Sequence, residues 1–371
     1  MNMYFDYNAT SPLRREAKQA MLEGMELLGN GSSIHQFGRR VRSKIEQARQ
    51  EVADFFRTAS TNIIFTSGAT EANHLAVCGF EGRIIVSAVE HNSIDQAHPD
   101  RLVCPVDGYG IIDLTALEAM LKDGNLPTLV CVMAANNETG VLQPLEKVVE
   151  LAKKYGAFVH CDAVQMIGRL SFSLGGIDLL SLSAHKLGGP QGVGALVMQT
   201  DVPLKAQLRG GGQERSFRSG TENFLGILGF AAVLKTAKDK DWTTVEHLRN
   251  TLETRLKALC PDAALFIAQE VPRLPNTALL VMKEVKNTTQ VMNFDLAGIA
   301  VSAGAACASG KVKSSRVLKA MGISEAIADC SIRVSLGPES QMGEIDRFLE
   351  VWMDIYKRAH NMPPFAQRAS R

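Results

Sequence analysis

The sequence predicts an α/β fold: a mainly parallel sheet with helices on both faces, joined to a smaller α+β domain. Three observations carry this. Short runs rich in Val, Ile and Leu alternate with helix-period segments at close spacing, the pattern of βαβ units. The length, 371 residues, fits two domains or one large domain with an appendage. Polar and titratable residues fall just past the ends of the strand-like runs, where open α/β sheets build their sites.

The elements follow in order. YFDYNATSP reads as a short strand and a turn closed by Pro12, and 13–28 carries a helical pattern. The loop GNGSSIHQFG leads into an amphipathic helix over 39–56, with apolar residues at Val41, Ile45, Ala48, Val52 and Phe55. A strand at 63–65, a tight turn at 66–69 and a helix over 70–78 form one unit. Its free amides and helix dipole make an anion site, to which Thr70 adds a hydroxyl. A buried strand starting at 83 runs into Glu90-His91-Asn92. Strands are expected at 129–134, at AFVHCD ending in Asp162, at 177–183 and at 195–198, with a helix over 144–154. After RGGGQERSFRSGTEN, a helix over 242–260 bridges to the second domain. There the pattern gives strands at 277–282 and SIRVSLG, and helices at 289–299, up to 321, and at 343–358. The division expected is a large domain over 15–257 and a small one made of 1–14 and 258–371.

Composition narrows the function classes. Lys plus Arg is 40 and Asp plus Glu is 39, so charge points to neither nucleic acid nor an anionic membrane. No run of about 18 apolar residues appears, and the start MNMYFDYNAT does not read as a signal peptide. Seven cysteines without CxxC spacing fit a reducing, cytoplasmic setting. Cys78, Cys104, Cys131, Cys161, Cys260 and Cys330 sit in or beside apolar or helical patterns and read as packing residues. Cys307 differs: its neighbours are Ala, Gly and Ser, and Lys311 and Lys313 would favour thiolate. The alternative for it is a buried small residue in an Ala-rich turn.

The chemistry centres on SLSAHKLGGPQGVGAL. Lys186 follows a buried strand end with no acid beside it in sequence. Desolvation would lower its pKa and make the amine nucleophilic, as a Schiff-base lysine requires. A pyridine cofactor also needs a carboxylate for its ring nitrogen, an anion site and a flat partner. Asp162, Gly68-Ala69-Thr70 and His91 offer these. Taken singly, each has a plainer reading: a surface lysine in a glycine-rich loop, a βα turn with a capping Thr, a loop histidine. The 209–223 segment reads either as a solvated loop or as a phosphate-contacting loop at a dimer interface. Neither a Walker A sequence nor GxGxxG is present at the anion turn.

Ten segments carry a resemblance: DYNATSP, GNGSSIHQFG, FTSGATEAN, EHNSI, NNETG, CDAVQ, SAHKLGGPQGVGAL, GGGQERSFRSGTEN, SAGAACASG and IRVSLG. In this order they resemble the cysteine desulfurases of the NifS/IscS group. These are class-V aminotransferases of fold type I, the aspartate-aminotransferase-like fold, and use pyridoxal 5′-phosphate. The resemblance implies that Lys186 binds the cofactor and shuttles protons, Asp162 pairs with the ring nitrogen, Gln165 bonds the ring hydroxyl and His91 stacks on the ring. Ala69, Thr70, Ser183 and His185 would hold the phosphate, and Thr221 would reach the phosphate in the partner subunit of a homodimer. Asn137, at the cofactor, and Arg333 would bind the carboxylate of L-cysteine, with Cys307 as nucleophile. The implied reaction gives alanine and a persulfide, passed to a sulfur acceptor such as an iron–sulfur scaffold or a tRNA-thiolation relay. No metal is implied. The alternative is a selenocysteine lyase or another class-V aminotransferase.

Overall fold

The computed structural model describes residues 3–124, 126–237, 240–304 and 315–362. A seven-stranded sheet forms the first layer. Its strands run in the order Ile63–Thr66, Gly194–Met198, Leu179–Ser183, Phe158–Asp162, Thr128–Cys131, Arg83–Ser87, Leu102–Cys104. Most of these strands are buried along nearly their whole length, which is why they read as continuous Val/Ile/Leu runs rather than alternating ones.

The sheet is parallel except at Gly194–Met198, which pairs antiparallel with both neighbours. The cause is the connection. A parallel return needs a crossover of a dozen or more residues, and the glycine-rich 184–193 stretch is too short for one. The expected strand at 129–134 stops at Cys131, and the one starting at 83 stops at Ser87.

The helix Gln36–Phe56 buries Val41, Ile45, Ala48 and Val52 as the sequence predicts. Phe56, rather than Phe55, completes the buried stripe. Helix Phe224–Lys235 has no counterpart in the sequence reading. It is apolar nearly all round, so it shows no helical period, and it packs on helix Arg15–Met25. Gly24 allows the approach: a Cβ there would lie 2.7 Å from Leu228 Cδ1.

A second core surrounds a four-stranded antiparallel sheet ordered Ser302–Ala303, Ser331–Ser335, Thr277–Met282, Ala264–Phe266. Helices Thr243–Leu259, Asn287–Leu296 and Met342–Ala359 cover it, with Phe294 stacked on Phe348 at 4.7 Å. The buried stripe of Thr243–Leu259 (Val245, Leu248, Leu252, Leu256) faces this second core. The helix expected to reach 299 ends at Leu296. Gly298, at φ +78°, turns the chain so that Ile299–Ala300 pairs parallel with Met3–Tyr4. That pairing brings the chain start into the second core through Phe5, and the next residues to the carboxyl ends of the first sheet.

Candidate active site

Strand ends converge on a cavity of about 470 Å³. Phe158–Asp162 delivers Asp162, and Leu179–Ser183 followed by the turn Ala184–Lys186 delivers Ser183, His185 and Lys186. Ala69, Thr70, His91, Asn137, Gln165 and Arg333 line the same cavity. Thr221 is exposed and is not among its lining residues. Cys307 lies outside the described residues.

Lys186 donates to the carbonyls of Asn8 and Ala9 at 2.6 and 2.8 Å. Burial lowers its ammonium to about 7, and the Arg333 and Arg169 guanidiniums add to the effect. At neutral pH a large share of the amine is therefore unprotonated, the form that attacks a carbonyl. His185 is likewise pushed down to about 4, by burial first and then by Lys186.

Asp162 is held by two donors, Asn73 Nδ2 at 2.9 Å and the Val164 amide at 3.0 Å. Asn73 Nδ2 also donates to Ser93 Oγ at 2.9 Å. The Ser93 amide donates to His91 Nδ1 at 3.2 Å, and Ser93 Oγ lies 2.8 Å from the same nitrogen. Nδ1 is thus an acceptor and the ring proton resides on Nε2. Burial lowers the His91 pKa, partly opposed by Asp162, so the ring is neutral near pH 7. These contacts couple an aromatic ring and a carboxylate through two buried side chains, Ser93 and Asn73.

Gln165 Nε2 donates to the Asn8 carbonyl at 3.0 Å, and its Oε1 accepts from Arg169 Nη1 at 2.6 Å. Arg169 also donates to Asn8 Oδ1 at 2.8 Å; burial brings its pKa down to about 9. Arg333 is 2% exposed. Its Nη1 donates to the Asn137 carbonyl at 2.9 Å and its Nη2 to Asp6 at 2.7 Å, while Nε has no partner among the described residues. A guanidinium carries five N–H groups, so donors remain for a substrate carboxylate. Asn8, Asp6, Asn73, Ser93 and Arg169 were not singled out from the sequence. The available signal was their place in DYNATSP, FTSGATEAN, EHNSI and the stretch after CDAVQ.

The helix Ala69–Gly79 starts at Gly68 without any side-chain cap, leaving its first amides for a ligand. The hydroxyls of Thr70 and Ser183 have no hydrogen-bond partner among the described residues. Glu71 steadies the turn by accepting from the Ser67 amide at 2.8 Å, and it also accepts from Arg218 Nε at 2.7 Å. In the 209–223 segment, Glu214, Arg215 and Ser216 have φ of 44°, 54° and 67°. Left-handed backbone costs roughly 1–2 kcal/mol for each such residue.

The Aminotransferase class-V family profile matches residues 3–348. A cysteine desulfurase of Cereibacter sphaeroides is 40% identical, over 98% of each chain. Cysteine desulfurase IscS of Dictyoglomus turgidum is 35% identical, over 98% of this chain and 97% of its own. The chain belongs to the class-V aminotransferases, in their cysteine desulfurase branch. A NifS-like protein from Rickettsia africae shares the fold, with a TM-score of 0.90 at 35% identity over 96% of this chain and 100% of its own. The fold is therefore fold type I, and the family's cofactor is pyridoxal 5′-phosphate.

The cavity fits that cofactor. Uncapped amides at Ala69 and Thr70 suit a phosphate dianion. A carboxylate fixed by two donors suits a protonated ring nitrogen, and a desolvated amine suits its aldehyde. His91 and Gln165 supply a ring face and an amide beside them.

Proposed function

We propose that the chain takes sulfur from L-cysteine, releases L-alanine and carries the sulfur as a persulfide on Cys307. One observation carries this reading: a lysine amine held near pKa 7 shares its cavity with a fixed carboxylate and a buried arginine. Lys186, Asp162, Gln165, His91, Ala69, Thr70, Ser183 and His185 would hold pyridoxal 5′-phosphate. That group, when bound, supplies an electron sink for the pair left at the substrate α-carbon. Lys186, with its neutral amine, takes the α-proton and returns it. Neutral His91 can hold a proton on Nε2. Arg333, with Asn137 beside it, takes the substrate carboxylate through its remaining N–H groups.

The Cys307 thiolate attacks the substrate sulfur. The S–S bond forms as the C–S bond breaks, and the electron pair and a proton go to carbon. L-Cysteine plus the thiol gives L-alanine plus the persulfide, so no external oxidant is needed.

We read the working form as a homodimer. Leu28, Ile34 and Phe37 are 78%, 90% and 51% exposed, a band that a second copy would cover. A sulfur-accepting protein such as an iron–sulfur scaffold is the proposed recipient, in keeping with relatives named IscS. Six free cysteines among the described residues support a reducing, cytoplasmic setting. No helix among those residues is long and apolar enough to cross a membrane.

The test is to incubate purified protein with L-cysteine and a reductant and to assay alanine and sulfide together. Equal yields of both are expected, and their loss in Cys307→Ala. Alanine formation that persists in that variant would refute the persulfide role.

A further inference from the structure

Three consecutive left-handed residues that bear side chains persist only where their surroundings over-determine the backbone. Here the surroundings are a buried ion pair. Glu214 accepts from Arg49 Nη1 and Nη2 at 2.6 and 2.8 Å and from the Phe65 amide at 2.8 Å. Arg49 also donates to the Ile63 carbonyl at 3.0 Å. The two side chains are 5% and 2% exposed. The pair thus satisfies the outer edge of strand Ile63–Thr66, which runs directly into the phosphate turn. Buried pairs contribute little net stability, but they can fix one geometry among several.

Further along the segment, Arg218 bonds Glu71, which in turn holds the Ser67 amide of the same turn. Asn223 Nδ2 donates to the Gly192 carbonyl at 2.9 Å. Between these tethers stands Thr221, exposed and absent from the lining of its own cavity. Gln213 Nε2 reaches Ser32 Oγ at 3.4 Å, so the segment borders the exposed band of Leu28, Ile34 and Phe37.

We propose that Arg49, Glu214 and Arg218 are positioning residues for the cofactor site of a second copy of this chain. They hold the strained turn so that the Thr221 hydroxyl is presented across the interface to the other cavity. This rests on the cofactor and homodimer reading above. Because Glu71 serves both the local phosphate turn and the outgoing segment, each subunit's anion site is built on the same scaffold that serves its neighbour's.

Mixed dimers of differently tagged copies test this, one copy with Lys186 intact and the other carrying Lys186→Ala. Glu214→Gln is placed on either copy. Pyridoxal 5′-phosphate is titrated at limiting concentration, bound cofactor is fixed with borohydride, and the pyridoxyl adduct on the Lys186 peptide is quantified by mass spectrometry. The adduct reports only the lysine-bearing site and does not depend on turnover. With Glu214→Gln on the Lys186→Ala copy, the apparent Kd at the lysine-bearing site should rise roughly tenfold, the scale of one phosphate contact. On the lysine-bearing copy the rise should be smaller, about threefold at most, because that copy's own turn keeps the Glu71 contact to the Ser67 amide.

Arg218→Gln leaves the buried pair intact and carries the test if Glu214→Gln does not fold. It should show the same asymmetry, partly restored by Arg218→Lys. Equal effects in both placements, or none, overturn the proposal, as does a larger effect on the lysine-bearing copy. A wild-type chain that forms no Lys186 adduct refutes the cofactor reading. One that sediments as a monomer refutes the dimer reading. Both are seen before any substitution at these positions, and either removes the proposal.

Discussion

Replacing Lys186 by Met in the cofactor-free protein should stabilise it at low pH and not at high pH. In the folded chain the ammonium titrates at about 7 instead of 10.5, with burial the largest cause and Arg333 and Arg169 next. Between those values the unfolded chain binds one more proton than the folded chain, so stability rises with pH. Below about pH 7 the folded state bears the whole penalty of a buried ammonium; above about pH 10.5 it bears none. The gap corresponds to about 5 kcal/mol. Against this, Lys186 Nζ donates to the Asn8 and Ala9 carbonyls at 2.6 and 2.8 Å. Leaving them short costs about 1 kcal/mol each. The net gain expected at pH 6 is then about 2–3 kcal/mol, a rise of about 3 °C in Tm for a chain of this length. Calorimetry of the cofactor-free pair at pH 6, 8 and 10 measures it. The gain should shrink steadily and reverse sign by pH 10, where the lost hydrogen bonds outweigh what is left of the charge penalty. A gain that stays constant with pH would show that packing rather than charge is responsible, and no gain at pH 6 would show that Lys186 is not desolvated.

Two further outcomes are expected. Burial holds the Glu90 carboxyl well above its ordinary value, so the stability linked to its proton is present below about pH 4.5 and is lost as pH rises through the folded value. Glu90→Gln keeps an acceptor for the Met133 amide, now at 2.7 Å, and should flatten that loss, so that its stability relative to the wild type rises from pH 5 to pH 9. Parallel urea-denaturation midpoints for the two proteins across that range would remove Glu90 as a buried acid. Arg333→Ala should raise KM for L-cysteine by about 100-fold, the scale of a lost charge-assisted pair, with a smaller fall in kcat. A KM within twofold of the wild type would take Arg333 out of the carboxylate role.

The sheet was legible because fully buried strands read as apolar runs, and nothing in those runs competes with that reading. What escaped has identifiable causes. Strand Leu102–Cys104 is short and exposes Leu102 and Val103, so it has neither the length nor the burial that marks its neighbours. Helix Phe224–Lys235 is buried nearly all round and has lost its period. Ile299 looks like the next apolar position of a helix until Gly298 reverses the chain. Strand direction at Gly194–Met198 depends on what a short connection can span, not on the strand's own composition.

The candidate site was legible to the extent that Lys186 and Asp162, singled out by their chemistry, and Arg333, implied by the resemblance, line one cavity. Its supporting atoms were not, because they act across long stretches of chain and through backbone carbonyls, which carry no residue signature. Asn8 shows why. It is 1% exposed, and its carbonyl accepts from Lys186 and Gln165 of the first sheet's loops. Its side chain donates to Thr277 Oγ1 of the second sheet at 2.9 Å and accepts from Arg169 and Asn276. One residue near the chain start therefore ties the amine, the amide beside it and the edge of the second core into a single network. Such a network fixes distances between groups brought from both cores, and those distances decide whether an amine near pKa 7 and a buried arginine can act on one small substrate. The strand Met3–Tyr4, pinned beside Ile299–Ala300, is thus part of the candidate site's scaffold rather than a loose end of the fold.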